Sequence, residues 1–409
     1  MESEKNRFRR RAVNIMYEAL KQAFSCAFGR PAQCVISAPG RTELGGNHTD
    51  HQHGRVLAGA VNLDITAAAA RNGLPLIRVC SEGYPKCEIS LSPLETVPTE
   101  LGTTAALVRG VAARFAELGC RMQGFDAYVT SRVLPGSGLS SSAAFEVLIA
   151  CVCNHLLCGG KKSAVELAQI GQYAENVYFG KPCGLMDQTA SAVGGIVSID
   201  FAVPEQPAVE RIPFDFSACG YALCIIDSGS DHADLTSEYA AVPDELQQVC
   251  RCFGKSYLRQ VSETEFYARL PEVRACAGDR AVMRAMHVFE ENKRVARQVA
   301  ALRENRFADF LQEVSASGRS SWMYLQNVIP GGRTQRQELA FALALTEHLL
   351  RGRGAFRIHG GGFAGTVQAF VPNALLEEFR DGIDSVLGEG ACRVLAISRR
   401  GAALLEDCR

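Results

Sequence analysis

The sequence feature that most constrains this chain is a glycine- and serine-rich stretch that leads directly into an apolar helix, LPGSGLSSSAAFEVLIACV at residues 134–152. Glycines allow a backbone to approach a ligand closely, and the first N–H groups of a helix have no partner inside it. Together with the positive end of the helix dipole, these groups favour an anion. The stretch lacks the lysine of the Walker motif and the third glycine of the dinucleotide fingerprint. The sequence therefore predicts an anion cradle of another kind, with a turn that only caps a core helix as the alternative.

The length of the chain, 409 residues, exceeds what one typical core requires, so we expect two domains. We place their boundary near residue 215, because the segment DFAVPEQPAVERIPFDF has several prolines and little periodicity. The domains, 1–215 and 216–409, both mix strand and helix patterns, which predicts a two-domain α+β fold. Hydrophobic residues make up 47% and charged residues 21%, with a formal net charge of -1. This balance predicts neither nucleic acid nor a membrane as a partner.

The 16 cysteines are predicted to be reduced, because many lie in apolar runs such as LIACVC and no secretory signal is recognised. The most apolar run, AAFEVLIACVC, is interrupted by Glu146 and is too short to span a bilayer. We therefore expect a cytoplasmic protein, as a monomer or weak dimer.

Two acidic residues accompany a second glycine-containing segment, GKPCGLMDQTASAVGG at residues 180–195. Asp187 comes just past a predicted helix, where a carboxylate can be held at a cleft, and a solvated loop aspartate is the alternative. Glu175, on that helix, is a candidate Mg²⁺ ligand or a residue that faces water. A third glycine-rich turn, within FRIHGGGFAGTVQAFV at residues 356–371, has more glycines than a hairpin requires. This excess indicates close packing against another backbone or a ligand.

Three histidines and two carboxylates lie within fifteen residues, GRTELGGNHTDHQHG at 40–54, in a predicted loop after the strand candidate CVISAPG. His48, Asp50, His51 and His53 form a plausible ligand set for zinc. No second cluster of histidines follows, which disfavours a catalytic zinc site. A sugar-binding loop and a solvated loop are the other interpretations.

Taken in order, these motifs resemble those of the GHMP kinase superfamily and, within it, of the galactokinases. The segment GRTELGGNHTDHQHGRVLAGAV is similar to the signature GRxNxIGEHTDYxxGxVLPxAI, and GSGLSSSAA is similar to the superfamily phosphate loop. PCGLMDQ resembles the segment with the catalytic aspartate, GGGFAGT resembles the third motif, and SEYA at 237–240 resembles a sugar-side segment. The resemblance spans nearly the whole chain. It implies an N-terminal ribosomal-protein-S5-like domain, a C-terminal ferredoxin-like domain and an active site in the cleft between them.

The resemblance also implies an ATP-dependent sugar 1-kinase that uses Mg²⁺. Asp187 would accept the proton of the anomeric hydroxyl, while Arg41 would keep Asp187 ionised and stabilise the transferring group. Ser142 and Glu175 would bind the Mg²⁺ ion. The ATP phosphates would be bound by Gly136, Ser137, Gly138, Leu139, Ser140, Ser141 and Ser142. The sugar would contact Asn47, His48, Asp50, Gly184 and Tyr239.

Several positions depart from the galactokinase pattern. Asn47 stands where the pattern has Glu, and His51 stands where it has Tyr. A hydrogen bond to a charged group contributes about 1.5–3 kcal/mol and a neutral one about 0.5–1.5 kcal/mol, so Asn47 predicts weaker galactose binding or a different sugar. The other departures are Asp231 and Val242-Pro243 in place of arginines, and His359 and Ala364 in place of Thr and Gly.

The simplest function implied by the resemblance is phosphorylation of D-galactose to galactose 1-phosphate. A related sugar, such as galacturonate, an amino sugar or another hexose, is the alternative acceptor. A regulator that binds sugar and ATP without turnover is the alternative class of protein. The uninterrupted phosphate loop favours the enzyme, as do Asp187 and Arg41.

Overall fold

The structure, a computed structural model, describes residues 4–133, 138–230 and 235–408, with side chains from residue 15 onward. It confirms the prediction of an α+β fold, and its strands form two sheets. Three positions singled out in the sequence, Gly136, Ser137 and Asp231, lie outside the described residues.

The first sheet has eight strands and is formed mainly by the N-terminal part of the chain. Its strands are β1 (Cys34–Gly45), β2 (Arg55–Arg71), β3 (Leu76–Ser81), β4 (Cys87–Ser90), β5 (Phe125–Ser131), β6 (Ile196–Asp200), β7 (Ala208–Ile212) and β12 (Ala403–Asp407). The main order is β12-β1-β2-β5-β3-β4, and β6 pairs with the start of β2 and with β7. The β3 and β5 pairing is parallel, and the other pairings are antiparallel.

The second sheet has four strands in the order β11-β8-β10-β9, all antiparallel. Its strands are β8 (Tyr221–Asp227), β9 (Ala355–His359), β10 (Thr366–Pro372) and β11 (Cys392–Leu395). The chain thus passes to the second sheet after β7 and returns to the first sheet with β12. The largest buried cluster also crosses between the sheets, since it joins Val56 of β2 with Leu223 of β8 and Phe310.

Helices cover both sheets. They are α1 (Glu4–Phe28), α2 (Thr104–Glu117), α3 (Ser141–Cys158), α4 (Ala164–Tyr173), α5 (Met186–Val193), α6 (Thr236–Arg251), α7 (Glu263–Ala268), α8 (Leu270–Ala277), α9 (Asp279–Arg303), α10 (Phe307–Ser320), α11 (Glu338–Leu350) and α12 (Leu376–Leu387). Gly119, two residues after the end of α2, has a φ of 81°, which is typical of the glycine that follows a helix. The start of α4 has a capping box, in which Ser163 and Glu166 each bind the other's backbone N–H.

The strand β1 continues further than the sequence indicated. Residues 40–54 were expected in a loop, but β1 runs to Gly45, so Arg41 lies on a strand. The pairing with β2 shifts between Pro39 and Arg41, because Pro39 pairs with Asp64 while Arg41 pairs with Ala60. A register shift of this kind changes the direction in which a side chain points. Backbone hydrogen bonds to the long antiparallel strand β2 keep these residues extended. The glycines and polar residues of the motif indicated a loop instead.

The helix α3 begins at the predicted anion cradle and is largely buried over the rest of its length. By length and composition it could cross a membrane, but 72% of it is buried inside the protein. Its residues Val147 and Leu148 are fully buried in the largest hydrophobic cluster. The helix α3 is therefore a core helix. The packing of its later turns holds its first turn in place.

One expectation about the cysteines is wrong. Cys120 and Cys158 form a disulfide in the structure, whereas all cysteines were predicted to be reduced. Cys120 follows α2 and Cys158 ends α3, and these two helices pack against each other. Because 38 residues separate the two cysteines, only this packing brings their sulfur atoms together.

Candidate active site

The centre of the site is an ion pair between Arg41 on β1 and Asp187 in the first turn of α5. The Arg41 Nε atom donates to Asp187 Oδ1 at 2.6 Å, and Nη2 donates to Oδ2 at 2.8 Å. The remaining Arg41 nitrogen, Nη1, donates to the carbonyl oxygen of Gly138 at 2.6 Å. A two-point contact of this kind fixes the direction of the carboxylate as well as its position. Asp187 is therefore a helix residue with a defined orientation, not a solvated loop aspartate.

Both side chains of this pair are charged near neutral pH. Burial acts to raise the pKa of Asp187, but the charge of Arg41 and hydrogen bonds from Arg41 and Ser140 outweigh it, so the pKa lies below its ordinary value. Burial acts to lower the pKa of Arg41, and Asp187 more than offsets this, so that pKa is raised. Asp187 is thus ionised near neutral pH, and it can accept a hydrogen bond but is a weak base.

The predicted phosphate loop contacts this pair at the start of α3. Gly138 has a φ of 71°, and a Cβ atom there would lie 2.5 Å from Thr366 Oγ1 of the third glycine motif. Ser140 has a left-handed backbone with a φ of 57°, and its hydroxyl donates to Asp187 Oδ2. The loop, α5 and β10 are therefore in close contact, and the N-terminus of an 18-residue helix opens beside the acidic residue.

The two predicted metal ligands are also brought together. The Ser142 hydroxyl donates to Glu175 Oε1 at 3.2 Å, and the Glu175 carboxylate is almost fully buried. Glu175 also accepts from Lys181 Nζ at 3.3 Å and from Gln188 Nε2 at 2.9 Å. Glu175 lies in a π-helical turn, 174–179, that follows α4. A hydroxyl and a carboxylate at the edge of a phosphate cradle are the oxygen donors that Mg²⁺ prefers.

Asp50 and Gly184, both predicted to contact the sugar, lie against each other. A Cβ atom at Gly184 would lie 1.9 Å from Asp50 Oδ2, so any larger residue would displace this carboxylate. Burial and the nearby Asp187 raise the pKa of Asp50 to about 6, although a hydrogen bond from the backbone N–H of His51 opposes the shift. Two carboxylates thus share one region, and Asp50 is the one that titrates closer to neutral pH.

Tyr239, another predicted sugar contact, packs on the third glycine motif. Its hydroxyl donates to the carbonyl oxygen of Gly362 at 2.7 Å, and a Cβ atom at Gly361 would lie 2.8 Å from its ring. The nearby departure at Val242-Pro243 lies in α6, where Val242 is fully buried in a hydrophobic cluster. The apolar replacement therefore faces the interior of the second half of the chain.

Asn47 is placed differently from the other predicted sugar contacts. Its side chain is only 1% exposed, and its Nδ2 donates to Glu43 Oε1 at 3.2 Å and to the carbonyl oxygen of Gly360 at 2.6 Å. Its Oδ1 accepts from Asn327 Nδ2 at 3.0 Å. Glu43 in turn pairs with the fully buried Arg357. Both ends of the Asn47 amide are thus bonded to protein groups.

The sequence also exchanges two residues of the signature. GRxNxIGE has its Asn at position 43 and its Glu at position 47, whereas this chain has Glu43 and Asn47. The two side chains are hydrogen-bonded to each other, so the same pair of groups is present in the reverse order. One carboxylate, that of Glu43, is therefore kept in this region, but its negative charge is paired with the buried Arg357.

The histidines of the opening motif do not form a metal site. His48 Nε2 donates to the carbonyl oxygen of Gly361 at 3.0 Å, and its Nδ1 lies 3.1 Å from His51 Nε2. His53 stacks on Tyr257 with ring centroids 3.5 Å apart. Burial lowers the pKa of His48, and burial next to His48 lowers the pKa of His51 to about 3. Within the described ranges, no group of three His, Cys, Asp or Glu side chains is arranged to hold a metal ion.

These elements enclose a cavity of about 460 Å³. Its lining combines the phosphate loop, the Arg41–Asp187 pair and the third glycine motif: Arg41, Gly138, Leu139, Ser140, Ser141, Ser142, Lys181, Asp187, Tyr239, His359, Gly360, Gly361, Gly365 and Thr366. This volume is typical of a small-molecule site.

Six residues of this lining were not among the predicted site residues: Lys181, His359, Gly360, Gly361, Gly365 and Thr366. His359 accepts from the backbone N–H of Glu43 at 3.2 Å, and its Nδ1 lies 3.0 Å from Thr366 Oγ1. It thereby connects β1, next to Arg41, to β10. The signal for Lys181 was available in the sequence, since it is a cation within the KPCGLMDQ segment.

A cleft with a helix N-terminus, a partly buried aspartate and an arginine is typical of a kinase for small molecules. Residues 106–195 match the family described as GHMP kinases N terminal domain. The fold and the site thus correspond to the class of GHMP kinases. Residues 22–71 match the galactokinase galactose-binding signature.

Two curated relatives and one solved structure extend the match to most of the chain. A galactokinase of Actinobacillus pleuropneumoniae serotype 5b (strain L20) is 33% identical over 369 residues, which cover 88% of this chain and 90% of the relative. A galactokinase of Glaesserella parasuis serovar 5 is 31% identical, with 89% and 91% covered. The Lactococcus lactis galactokinase complexed with galactose has the same fold, with a TM-score of 0.81 at 24% identity, covering 95% of this chain and all of that one. The chain belongs to the galactokinase family and is a sugar kinase.

Proposed function

We propose that this protein transfers the γ-phosphate of ATP to the C1 hydroxyl of D-galactose. The observation that carries the proposal is the Arg41–Asp187 pair, which is held at two points and lies next to the N-terminus of α3 in one cavity. The helix N-terminus favours the phosphates, and the oriented carboxylate favours a hydroxyl within a few ångströms of them.

In the proposed reaction, the sugar oxygen forms a bond to the γ-phosphorus while the bond from that phosphorus to ADP breaks. The hydroxyl proton passes to Asp187 as the new bond forms. The low pKa of Asp187 makes it a weak base, so its main contribution is to accept the hydrogen bond and to align the attacking oxygen. Ser140 and Arg41 hold the carboxylate in that orientation.

We propose that Mg²⁺ accompanies the ATP and is bound by Ser142 and Glu175. The fit is supported by two oxygen donors 3.2 Å apart at the edge of the phosphate cradle, one of them a buried carboxylate. Bound there, the ion would neutralise charge on the phosphates. Gln188 orients Glu175 through its amide, which donates to the carboxylate oxygen that Ser142 does not contact.

The side of the cavity away from the phosphate loop would receive the sugar. We assign Asp50, Gly184, His48 and Tyr239 to this side, because Asp50 and Gly184 lie close to Asp187 and the other two are bonded to the third glycine motif. Asn47 would act indirectly, through the backbone of Gly360, since its amide is bonded to protein groups.

The test is ATP-dependent turnover with Mg²⁺ and a panel of sugars: galactose, 2-deoxygalactose, galactosamine, N-acetylgalactosamine, galacturonate, glucose and arabinose. We expect turnover on galactose, and we expect Asp187→Asn to lower kcat by about 10²–10⁴-fold, the usual contribution of a positioned base. Asp215→Asn, at an exposed aspartate outside the cavity, is the matched control and should leave kcat unchanged.

Each other outcome has a defined meaning. Turnover on a different sugar alone would replace the acceptor in the proposal and direct attention to Asn47 and His51. Binding of ATP without turnover on any sugar would contradict the proposal and favour a regulator. Full activity of Asp187→Asn would remove Asp187 from the mechanism.

A further inference from the structure

The cavity has few positive charges available for a triphosphate. Two of its lining residues, Arg41 and Lys181, are cationic. Arg41 uses all three of its guanidinium nitrogens, two on Asp187 and one on the Gly138 carbonyl. Its charge is thus largely balanced by Asp187. Because phosphoryl transfer spreads negative charge over the equatorial oxygens, a site of this kind needs cations that can reach those oxygens.

Lys181 is positioned to supply such a charge. Its Nζ atom lies 3.3 Å from Glu175 Oε1, which is 3.2 Å from the Ser142 hydroxyl in the first turn of α3. The ammonium group is therefore at the mouth of the phosphate cradle, on the same side as the proposed metal ligands. Its side chain is 63% exposed, so it is free to move from Glu175 to an incoming phosphate.

The backbone that presents Lys181 is fixed. The Lys181 N–H donates to the Glu175 carbonyl oxygen at 3.1 Å, directly after Gly180 with a φ of 84°. Two residues later, Asn176 Oδ1 accepts from the Cys183 N–H at 2.7 Å. A flexible side chain on a fixed backbone is a suitable arrangement for following a phosphate through the reaction.

We propose that Lys181 is a catalytic residue that binds the terminal phosphate of ATP, a role that rests on the proposed kinase function. In the free protein its ammonium group pairs with Glu175. With ATP and Mg²⁺ bound, Glu175 would hold the metal ion, which would leave the Lys181 ammonium group to contact the oxygens of the γ-phosphate. Lys181 forms no covalent bond, and it stabilises negative charge as the γ-phosphoryl group moves from ATP to the sugar and ADP is released.

The experiment compares Lys181→Met with the wild-type protein, by calorimetry with ATP and with ADP in the absence of sugar and by kinetics with the accepted sugar. The charge is removed while the length of the side chain is kept. We expect ATP to bind about tenfold more weakly and ADP to be nearly unaffected, since one charge-assisted hydrogen bond to the γ-phosphate is lost. We also expect a lower kcat, by about tenfold or more, and partial rescue by Lys181→Arg.

The matched control is Lys293→Met, which removes another half-exposed lysine paired with a glutamate, outside the cavity lining. It should leave ATP binding unchanged. Equal weakening of ATP and ADP, or no change in either, would overturn the proposal, and a change in Mg²⁺ dependence alone would make Lys181 a partner of Glu175 only. Because binding is measured without sugar, this result is independent of whether galactose is the acceptor: an inactive wild type with Lys181-dependent ATP binding would refute only the proposed reaction.

Discussion

The phosphate side and the sugar side of the cavity differ in how closely they follow the family pattern. On the phosphate side the motif GSGLSSSAA is uninterrupted, and Ser142 and Glu175 are in direct contact. On the sugar side Glu43 and Asn47 stand in exchanged order, and Asn47 is bonded into the interior. The chemistry of phosphate transfer requires a fixed geometry, whereas the sugar loop can change its residues if the buried charges remain paired. Under the proposed function, one side of the cavity would carry out the phosphate transfer and the other would select the acceptor.

The phosphate side can be tested most strongly at Arg41. We expect Arg41→Lys to lower kcat by about 10²–10³-fold, because lysine keeps the charge but cannot make the two-point contact that orients Asp187. The measurement is steady-state kinetics with the accepted sugar. A fall in sugar affinity with kcat unchanged would contradict the assignment, since it would place Arg41 in binding alone.

The sugar side can be tested by restoring the family order of residues. We expect Asn47→Glu alone to destabilise the fold by about 3 kcal/mol, because a second buried carboxylate would lie next to Glu43 with Arg357 already paired. The double variant Glu43→Asn with Asn47→Glu restores one carboxylate and should recover most of this loss. Denaturant unfolding of the three proteins provides the measurement. If the single and double variants are equally stable, the two positions are not coupled as the structure indicates.

The smallest expected effect is the pH dependence of sugar binding. Asp50 has a pKa raised to about 6, so it is ionised above this pH and protonated below it. A carboxylate accepts sugar hydroxyl hydrogen bonds better than its protonated form, so KM for the sugar should rise by up to about tenfold for each pH unit below 6. Asp50→Asn has no titrating group here and serves as the control. A wild-type KM that is flat between pH 5 and 7 would show that Asp50 does not bind the sugar in its ionised form.

Much of the site was accessible from local patterns. A glycine and serine loop followed by an apolar helix predicts a phosphate cradle, and Asp187 and Arg41 were identified by motif and are brought together in the structure. Their catalytic roles stay predictions. Lys181 was missed although it is a cation within the KPCGLMDQ segment, because its significance depends on its contact with Glu175 in the folded chain.

The sequence alone determined the class of fold, and it predicted an anion cradle at the start of α3 with polar residues near it, because these depend on periodicity, glycine positions and helix ends within short segments. The tertiary structure decided which of these side chains face the cavity. It buried Asn47 against Glu43 and Asn327, extended β1 to Arg41, and joined Cys120 to Cys158. These outcomes depend on contacts between residues far apart in the chain, which are set by the packing of whole helices and strands and leave no local trace in the sequence.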